Sequence, residues 1–130
     1  TSEGAGMSGV IMSKESVDLF NPKVVRSTMG AIFRVKFCYV ESLIDIIEEI
    51  KKSGYDVYAT AMEGSEEYDC VDYTKGSAFI IGNEANGVSD AVFEKASKRI
   101  RIPMEGKLES LNAAVSAAII MYEMARQKRK

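Results

Sequence analysis

Short apolar runs alternate with helical patterns along the whole chain, and this alternation constrains the fold more than any other feature. The predicted strands are residues 9–12, one within 31–40, 55–60, 77–82 and 99–102, and the predicted helices are 22–29, 43–53, 90–96 and 111–127. Strands that alternate with helices indicate an α/β fold with a parallel sheet flanked by helices. The continuous apolar run at 77–82 predicts a strand that is buried on both faces.

Several of the predicted helices carry clear start and stop signals. Ser42 and Ser89 precede helical patterns and are typical N-cap residues, and Gly54 follows the last residue of the first amphipathic pattern. We expect Ser110 to cap the last helix, which places Asn112 inside its first turn. An Asn side chain there is not needed as a cap and could offer a donor and an acceptor to a ligand.

The composition excludes several kinds of site. The 130 residues include no histidine, which removes Ser-His-Asp and Cys-His catalysis, HExxH zinc sites and Cys2His2 fingers. Cys38 and Cys70 are 32 positions apart without a CxxC spacing, which argues against a metal cluster and favours a reducing, cytoplasmic compartment. No apolar run approaches the roughly 20 residues that a membrane span needs. The formal net charge of −2 gives no overall argument for nucleic acid.

Three loops follow predicted strand ends and have an unusual composition. They begin after Thr60, Ile81 and Ile102, and a parallel sheet brings such strand ends to one edge, where ligands bind. Glycines in or next to these loops allow close approach of the backbone to a neighbouring segment or a ligand; they are Gly64, Gly82, Gly87 and Gly106. The second loop, GNEANG, matches neither GxGxxG nor a Walker loop, so it lacks the motifs typical of dinucleotide-binding and triphosphate-binding proteins.

Individual polar residues in these loops have two interpretations each. Glu84 could accept hydrogen bonds from nearby backbone amides or orient a substrate hydroxyl. Ser110 could be a simple helix cap or part of a site. The basic C-terminal segment ARQKRK could complement a helix dipole or bind a partner.

Three segments together resemble a known family. NPKVVRSTMGAIF, FIIGNEANGVSD and IPMEGKLESLNAAVSAAIIMYE are similar, in order and spacing, to the signature segments of the SpoU family of RNA 2′-O-ribose methyltransferases in the SPOUT superfamily. The resemblance covers essentially the whole chain. It implies a C-terminal trefoil knot, S-adenosylmethionine as cofactor with no metal, a homodimer through the knot region, and rRNA or tRNA as substrate.

The resemblance also implies roles for particular residues. The implied cofactor contacts are Thr60, Ala61, Gly82, Asn83, Glu84, Gly87, Ile102, Met104, Leu111 and Asn112. Glu84, Ser110 and Asn112 match the catalytic positions, and Lys23 and Arg26 match a basic segment that faces RNA phosphates.

In one respect the chain departs from the family pattern. The first family motif, a strand with an asparagine and then an arginine, would precede Thr1. We therefore expect one SPOUT methyltransferase domain over residues 1–130 that is truncated at its N-terminus and lacks that strand and any RNA-binding domain. Two alternatives stay open: a non-catalytic knotted module that binds RNA or the cofactor as a dimer, and a base methyltransferase of another SPOUT branch.

Overall fold

The computed structural model describes residues 1–13, 34–62, 65–82 and 87–129, which form two compact units, Thr1–Leu43 and Ile44–Lys130. The strands are β1 Val10–Ser13, β2 Phe37–Val40, β3 Asp56–Thr60, β4 Glu66–Glu67, β5 Ser77–Ile80 and β6 Lys98–Arg101. The helices are α1 Leu43–Lys52, α2 Asp90–Lys95 and α3 Ala113–Lys128, with a 3-10 turn at Tyr68–Cys70. The predicted helix at 22–29 lies outside the described residues.

The first unit contains a parallel pair of strands. β1 and β2 align with Val10 opposite Phe37, and the Val10 amide donates a 2.8 Å hydrogen bond to the Lys36 carbonyl. Both strands overlap the strands predicted at 9–12 and within 31–40, and their pairing is parallel, as expected for an α/β fold. A 3.0 Å ion pair joins Arg34 to Glu3 in the same unit.

The second unit is built on a four-stranded parallel sheet. The strand order is β4-β6-β3-β5, with every described pair parallel. This confirms the predicted parallel α/β sheet. The central strand β3 is the buried one, since Val57, Tyr58 and Ala59 are all inaccessible to solvent.

Two predictions for this sheet were wrong or incomplete. All four residues of β5 are partly exposed, so the strand predicted to be buried on both faces is not, because β5 ends the order of this sheet. β4 and the 3-10 turn lie between the strands predicted at 55–60 and 77–82, where no helix or strand was predicted. Two glutamates form a strand only because they pair with β6, with Glu67 opposite Arg101.

An aromatic cluster fills the core next to β3. Tyr58, Tyr73 and Phe79 have ring centroids 5.1–5.7 Å apart, in stacked and edge-to-face geometries that are favourable for aromatic pairs. Burial raises the pKa of the Tyr73 hydroxyl, which donates a hydrogen bond to the Tyr68 carbonyl. The buried residues of α3 are Ile120, Met121 and Met124.

The ends of α1 and α2 follow the predicted signals. Gly54 has φ +91°, and the Gly54 and Tyr55 amides donate to the Lys51 and Ile50 carbonyls, which is a Schellman motif. Ser89 caps α2 by accepting from the Val92 amide at 3.4 Å. None of the described helices has the length and apolar character that a membrane crossing requires.

Candidate binding cleft

A cleft of about 990 Å³ opens at the carboxyl ends of the parallel strands in the second unit. Its walls come from the three loops that follow β3, β5 and β6 and from the first turn of α3. Parallel strands point the same way, so their ends and the loops that follow meet at one edge of the sheet. We refer to this space as the cleft.

The cleft brings together the predicted site residues that the structure describes. Those residues are Thr60, Ala61, Gly82, Gly87, Ile102, Met104, Ser110, Leu111 and Asn112. Asn83 and Glu84, and the RNA contacts Lys23 and Arg26, lie outside the described residues. Segments that are more than 50 positions apart in the sequence therefore share one site.

Hydrogen bonds fix the floor of the cleft at the strand ends. The Thr60 hydroxyl donates to the Ile80 carbonyl at 3.2 Å, and the Ala61 amide donates to the Ile100 carbonyl at 2.9 Å. These bonds tie the end of β3 to both neighbouring strands. The residues that follow the strands are consequently held in place by the sheet itself.

Gly82 and Gly87 lie against each other where the second loop enters and leaves the cleft. A Cβ on Gly82 would lie 2.5 Å from the Val88 nitrogen and 2.7 Å from the Gly87 Cα, closer than real Cβ contacts. Gly87 has φ +63°, a conformation that favours glycine. Both glycines are therefore required by the backbone. Gly106, by contrast, faces open space, and Gly64 is not among the described residues.

The start of α3 differs from the sequence prediction. Asn112, not Ser110, is the N-cap: its Oδ1 accepts from the Ala114 amide at 2.8 Å and from the Val115 amide at 3.4 Å. Asn112 has extended backbone angles, φ −51° and ψ 141°, so the helix begins at Ala113. The expectation that the Asn112 side chain is not needed as a cap was wrong. Ser110 lies in the exposed segment before the helix.

Sequence reasoning missed several residues of the cleft. They are Met62, Ile81, Val88, Ile100, Arg101, Pro103, Leu108, Glu109, Ala113 and Ser116. Most of them neighbour the predicted residues, so extending each loop by one or two positions would have found them. Arg101 is the only basic residue among the described lining residues. Met62 and Leu108 expose about three fifths of their surface, 62% and 61%.

None of the potential metal ligands among the described residues lines the cleft. Glu67, Asp69 and Cys70 have ligand atoms within 4.8 Å of one another, and none of the three lines the cleft. Desolvation and the Asp69 carboxylate raise the pKa of the Cys70 thiol. A raised pKa disfavours the thiolate, which is the form that binds metals.

The lining of the cleft suits a ligand with an apolar part and polar edges. Ile102, Met104 and Leu111 supply apolar surface, and Thr60, Ser110 and Asn112 supply polar groups. This combination defines an α/β protein with a nucleoside-sized site at the strand ends of a parallel sheet.

Comparisons with known proteins agree with this class and narrow it. The sequence model of the SpoU rRNA Methylase family matches residues 1–122, and the chain belongs to this family. The chain is 35% identical over 124 residues to the 23S rRNA (guanosine(2553)-2'-O)-methyltransferase RlmP of Bacillus subtilis. The match covers 95% of this chain and 50% of that protein. It is 34% identical to an uncharacterized tRNA/rRNA methyltransferase of Archaeoglobus fulgidus, over 98% of this chain and 57% of that protein.

Solved structures show the same fold. The AdoMet-bound rRNA methyltransferase of Sinorhizobium meliloti superposes with a TM-score of 0.90 at 33% identity, covering 96% of this chain and 48% of that one. The SpoU methyltransferase AviRb of Streptomyces viridochromogenes, in complex with AdoMet, superposes with a TM-score of 0.89 at 31% identity. The match covers 99% of this chain and 51% of that one. The chain thus spans about half the length of these relatives.

Proposed function

We propose that the protein transfers a methyl group from S-adenosylmethionine to a ribose 2′-hydroxyl of rRNA or tRNA. The observation that carries this proposal is the cleft, where the family's cofactor positions converge around a glycine contact that leaves no space for a side chain. Membership of the SpoU family and the AdoMet-bound relatives support the same cofactor.

The residues of the cleft fit an adenosine group. The apolar side chains of Ile102, Met104 and Leu111 line the cleft and can cover the faces of the adenine ring. Backbone groups at Thr60 and Ala61 lie at the strand ends and can provide polar edges. A volume of about 990 Å³ is ample for a nucleoside with an amino-acid tail.

The reaction needs alignment more than strong acid-base chemistry. When bound, S-adenosylmethionine would supply an activated methyl group: the ribose oxygen would bond to the methyl carbon while the methyl–sulfur bond breaks, and the neutral thioether S-adenosylhomocysteine would be the leaving group. The chain must hold the 2′-hydroxyl in line with that bond and accept its proton. Following the roles that the family resemblance implies, we propose that Glu84, Ser110 and Asn112 support this step by orienting the ribose hydroxyl.

Substrate RNA would approach the cleft from the surface. Lys23 and Arg26 are the proposed contacts to its phosphates, because Lys and Arg neutralise the RNA backbone. We also propose that the C-terminal segment forms the trefoil knot of the SPOUT superfamily and that the protein is a homodimer. Val115 and Tyr122, each 47% exposed, support an interface because they lie two turns apart on one face of α3.

We propose a cytoplasmic location for this activity. Cys38 and Cys70 are free and exposed thiols, which is typical of proteins in a reducing compartment. RNA substrates of this class are in the same compartment.

The test is methyl transfer with a mapped product. The protein is incubated with S-adenosylmethionine carrying a labelled methyl group and with unmodified rRNA or tRNA, and the RNA is then digested and analysed by mass spectrometry. We expect label on a ribose 2′-oxygen. Label on a base would instead support a base methyltransferase, and cofactor binding without any transfer would support the non-catalytic module.

A further inference from the structure

We propose that Arg101 binds the phosphate next to the target ribose and so positions the RNA at the cleft. The inference rests on the proposed function, since it concerns the RNA that would receive the methyl group. It assigns a substrate-binding residue that lies outside the segments that carry the family resemblance.

Arg101 is placed where an anionic group would meet the cleft. It is the last residue of β6, directly before the loop that forms one wall. Arg101 lines the cleft, and its side chain is 43% exposed. No other Lys or Arg among the described residues lines this space. A partly exposed cation at the wall can contact a ligand that arrives from solvent.

The chemistry of RNA brings a phosphate to this place. The 2′-hydroxyl and the 3′-phosphate are carried by adjacent carbon atoms of the same ribose. A 2′-hydroxyl that enters the cleft for methylation therefore brings a phosphate to its edge. Arg is the side chain best suited to hold a phosphate, because its planar group can donate two parallel hydrogen bonds.

The existing partner of Arg101 leaves it available for this contact. Arg101 Nη2 lies 3.5 Å from Glu67 Oε1, long for a charge-assisted hydrogen bond, and both side chains are 43% exposed. Exposed pairs of this kind contribute little to stability. A phosphate with several acceptor oxygens can replace the single long contact to Glu67.

The same strand offers a matched control. Lys98 on β6 pairs with Glu66 on β4 at 3.3 Å, in the same type of exposed ion pair between the same two strands. Lys98 does not line the cleft. Arg101→Gln and Lys98→Gln each remove one positive charge and one β4–β6 ion pair, and they differ in whether the substituted residue lines the cleft.

The experiment measures binding of the full chain to a fluorescently labelled single-stranded RNA 20-mer by anisotropy, over a range of salt concentrations. We expect Arg101→Gln to raise the RNA Kd about tenfold and to lower the slope of log Kd against log salt by about 0.7, the share of one phosphate contact. Lys98→Gln should change the Kd less than twofold. Arg101→Lys should recover part of the affinity, and the Kd for S-adenosylmethionine should stay within twofold.

Several results would overturn the proposal. Equal losses of RNA affinity in Arg101→Gln and Lys98→Gln would mean that RNA binding depends only on the net charge of the protein. A large rise in the S-adenosylmethionine Kd would assign Arg101 to the cofactor carboxylate. A Glu67→Gln variant that loses as much RNA affinity as Arg101→Gln would show that the ion pair acts by holding β4 in place. A wild-type protein without RNA affinity would also contradict the proposal, whereas RNA binding without methyl transfer contradicts only the proposed function.

Discussion

Two regions of the second unit are held together in opposite ways. The first, which we call the anchor, consists of Val71, Tyr73, Glu123 and Gln127. The Gln127 side chain accepts from the Tyr73 amide at 2.7 Å and donates to the Val71 carbonyl at 2.9 Å and to Glu123 at 3.0 Å. It joins the last turn of α3 to the core, where Tyr73 is fully buried.

The second region is the cleft at the other end of α3. There the helix is capped by its own Asn112, and Val115 in the first turn is exposed. The glycine contact between Gly82 and Gly87 replaces side-chain packing. Few side chains are buried here, so the surface is open to a ligand.

Residues that stabilise the fold and residues that shape the cleft thus lie at opposite ends of α3. α3 is secured at its C-terminal end by buried side chains and a hydrogen-bonded amide, which leaves its N-terminal end to shape the cleft. Variants at the anchor should therefore lower the free energy of unfolding without changing affinity. Variants in the cleft should weaken cofactor binding by more than any accompanying loss of stability explains. Three predictions test this, ordered by the size of the expected effect.

Gly82→Val should have the largest effect, because the added side chain would overlap the backbone atoms of Gly87 and Val88. We expect the Kd for S-adenosylmethionine, measured by calorimetry, to rise at least a hundredfold. The free energy of unfolding should fall by about 1–3 kcal/mol through overpacking.

Gly106→Val is the matched control, since nothing lies within 4 Å of a Cβ there and Gly106 does not line the cleft. It should bind the cofactor as the wild type does. Wild-type affinity in Gly82→Val would show that the close glycine contact is irrelevant to the site.

Gln127→Ala should break the anchor and leave the cleft intact. It removes the partners of the Tyr73 amide and the Val71 carbonyl, which are partly buried, so we expect a loss of about 2 kcal/mol in a urea denaturation series. Lys128→Ala, on the neighbouring exposed position, should change stability by less than about 0.5 kcal/mol. Cofactor affinity should stay within threefold of wild type, and a tenfold loss would show that the two regions are coupled.

Substitutions of Asn112 should have the smallest effect, and they separate capping of α3 from ligand binding. Asn112→Ala removes the helix cap and should cost about 1 kcal/mol, whereas Asn112→Ser keeps a capping oxygen and should be nearly neutral to folding. Both lack the amide group, so both should weaken S-adenosylmethionine binding or turnover about tenfold if Asn112 contacts the ligand. Wild-type binding and turnover in Asn112→Ser would restrict Asn112 to capping.

The sequence predicted those elements whose signals are local. The strands around Val57 and Ile100 and the helix α1 that precedes Gly54 were correctly predicted, because apolar periodicity and a C-terminal glycine act within a few residues. The loops after the strands could also be placed at one edge, because all strands of a parallel sheet end at the same edge.

Features that depend on tertiary contacts were missed. β4 consists of two glutamates and exists through its pairing with β6, which no local pattern of Glu66 and Glu67 reveals. Ser110 and Asn112 are both good capping residues, and only the backbone angles of Asn112 decide which of them starts the helix. Arg101 was missed because its place in the cleft wall follows from how β6 is set in the sheet.

The assignment of the cleft as the cofactor site is tested by an isothermal titration of S-adenosylmethionine into the wild-type protein and into Gly82→Val. We expect saturable binding to the wild type with one site per chain, and no measurable binding to a Gly82→Val protein that still unfolds cooperatively. An absence of saturable binding to the wild type, or equal binding to both proteins, would contradict the assignment of the cleft as the cofactor site.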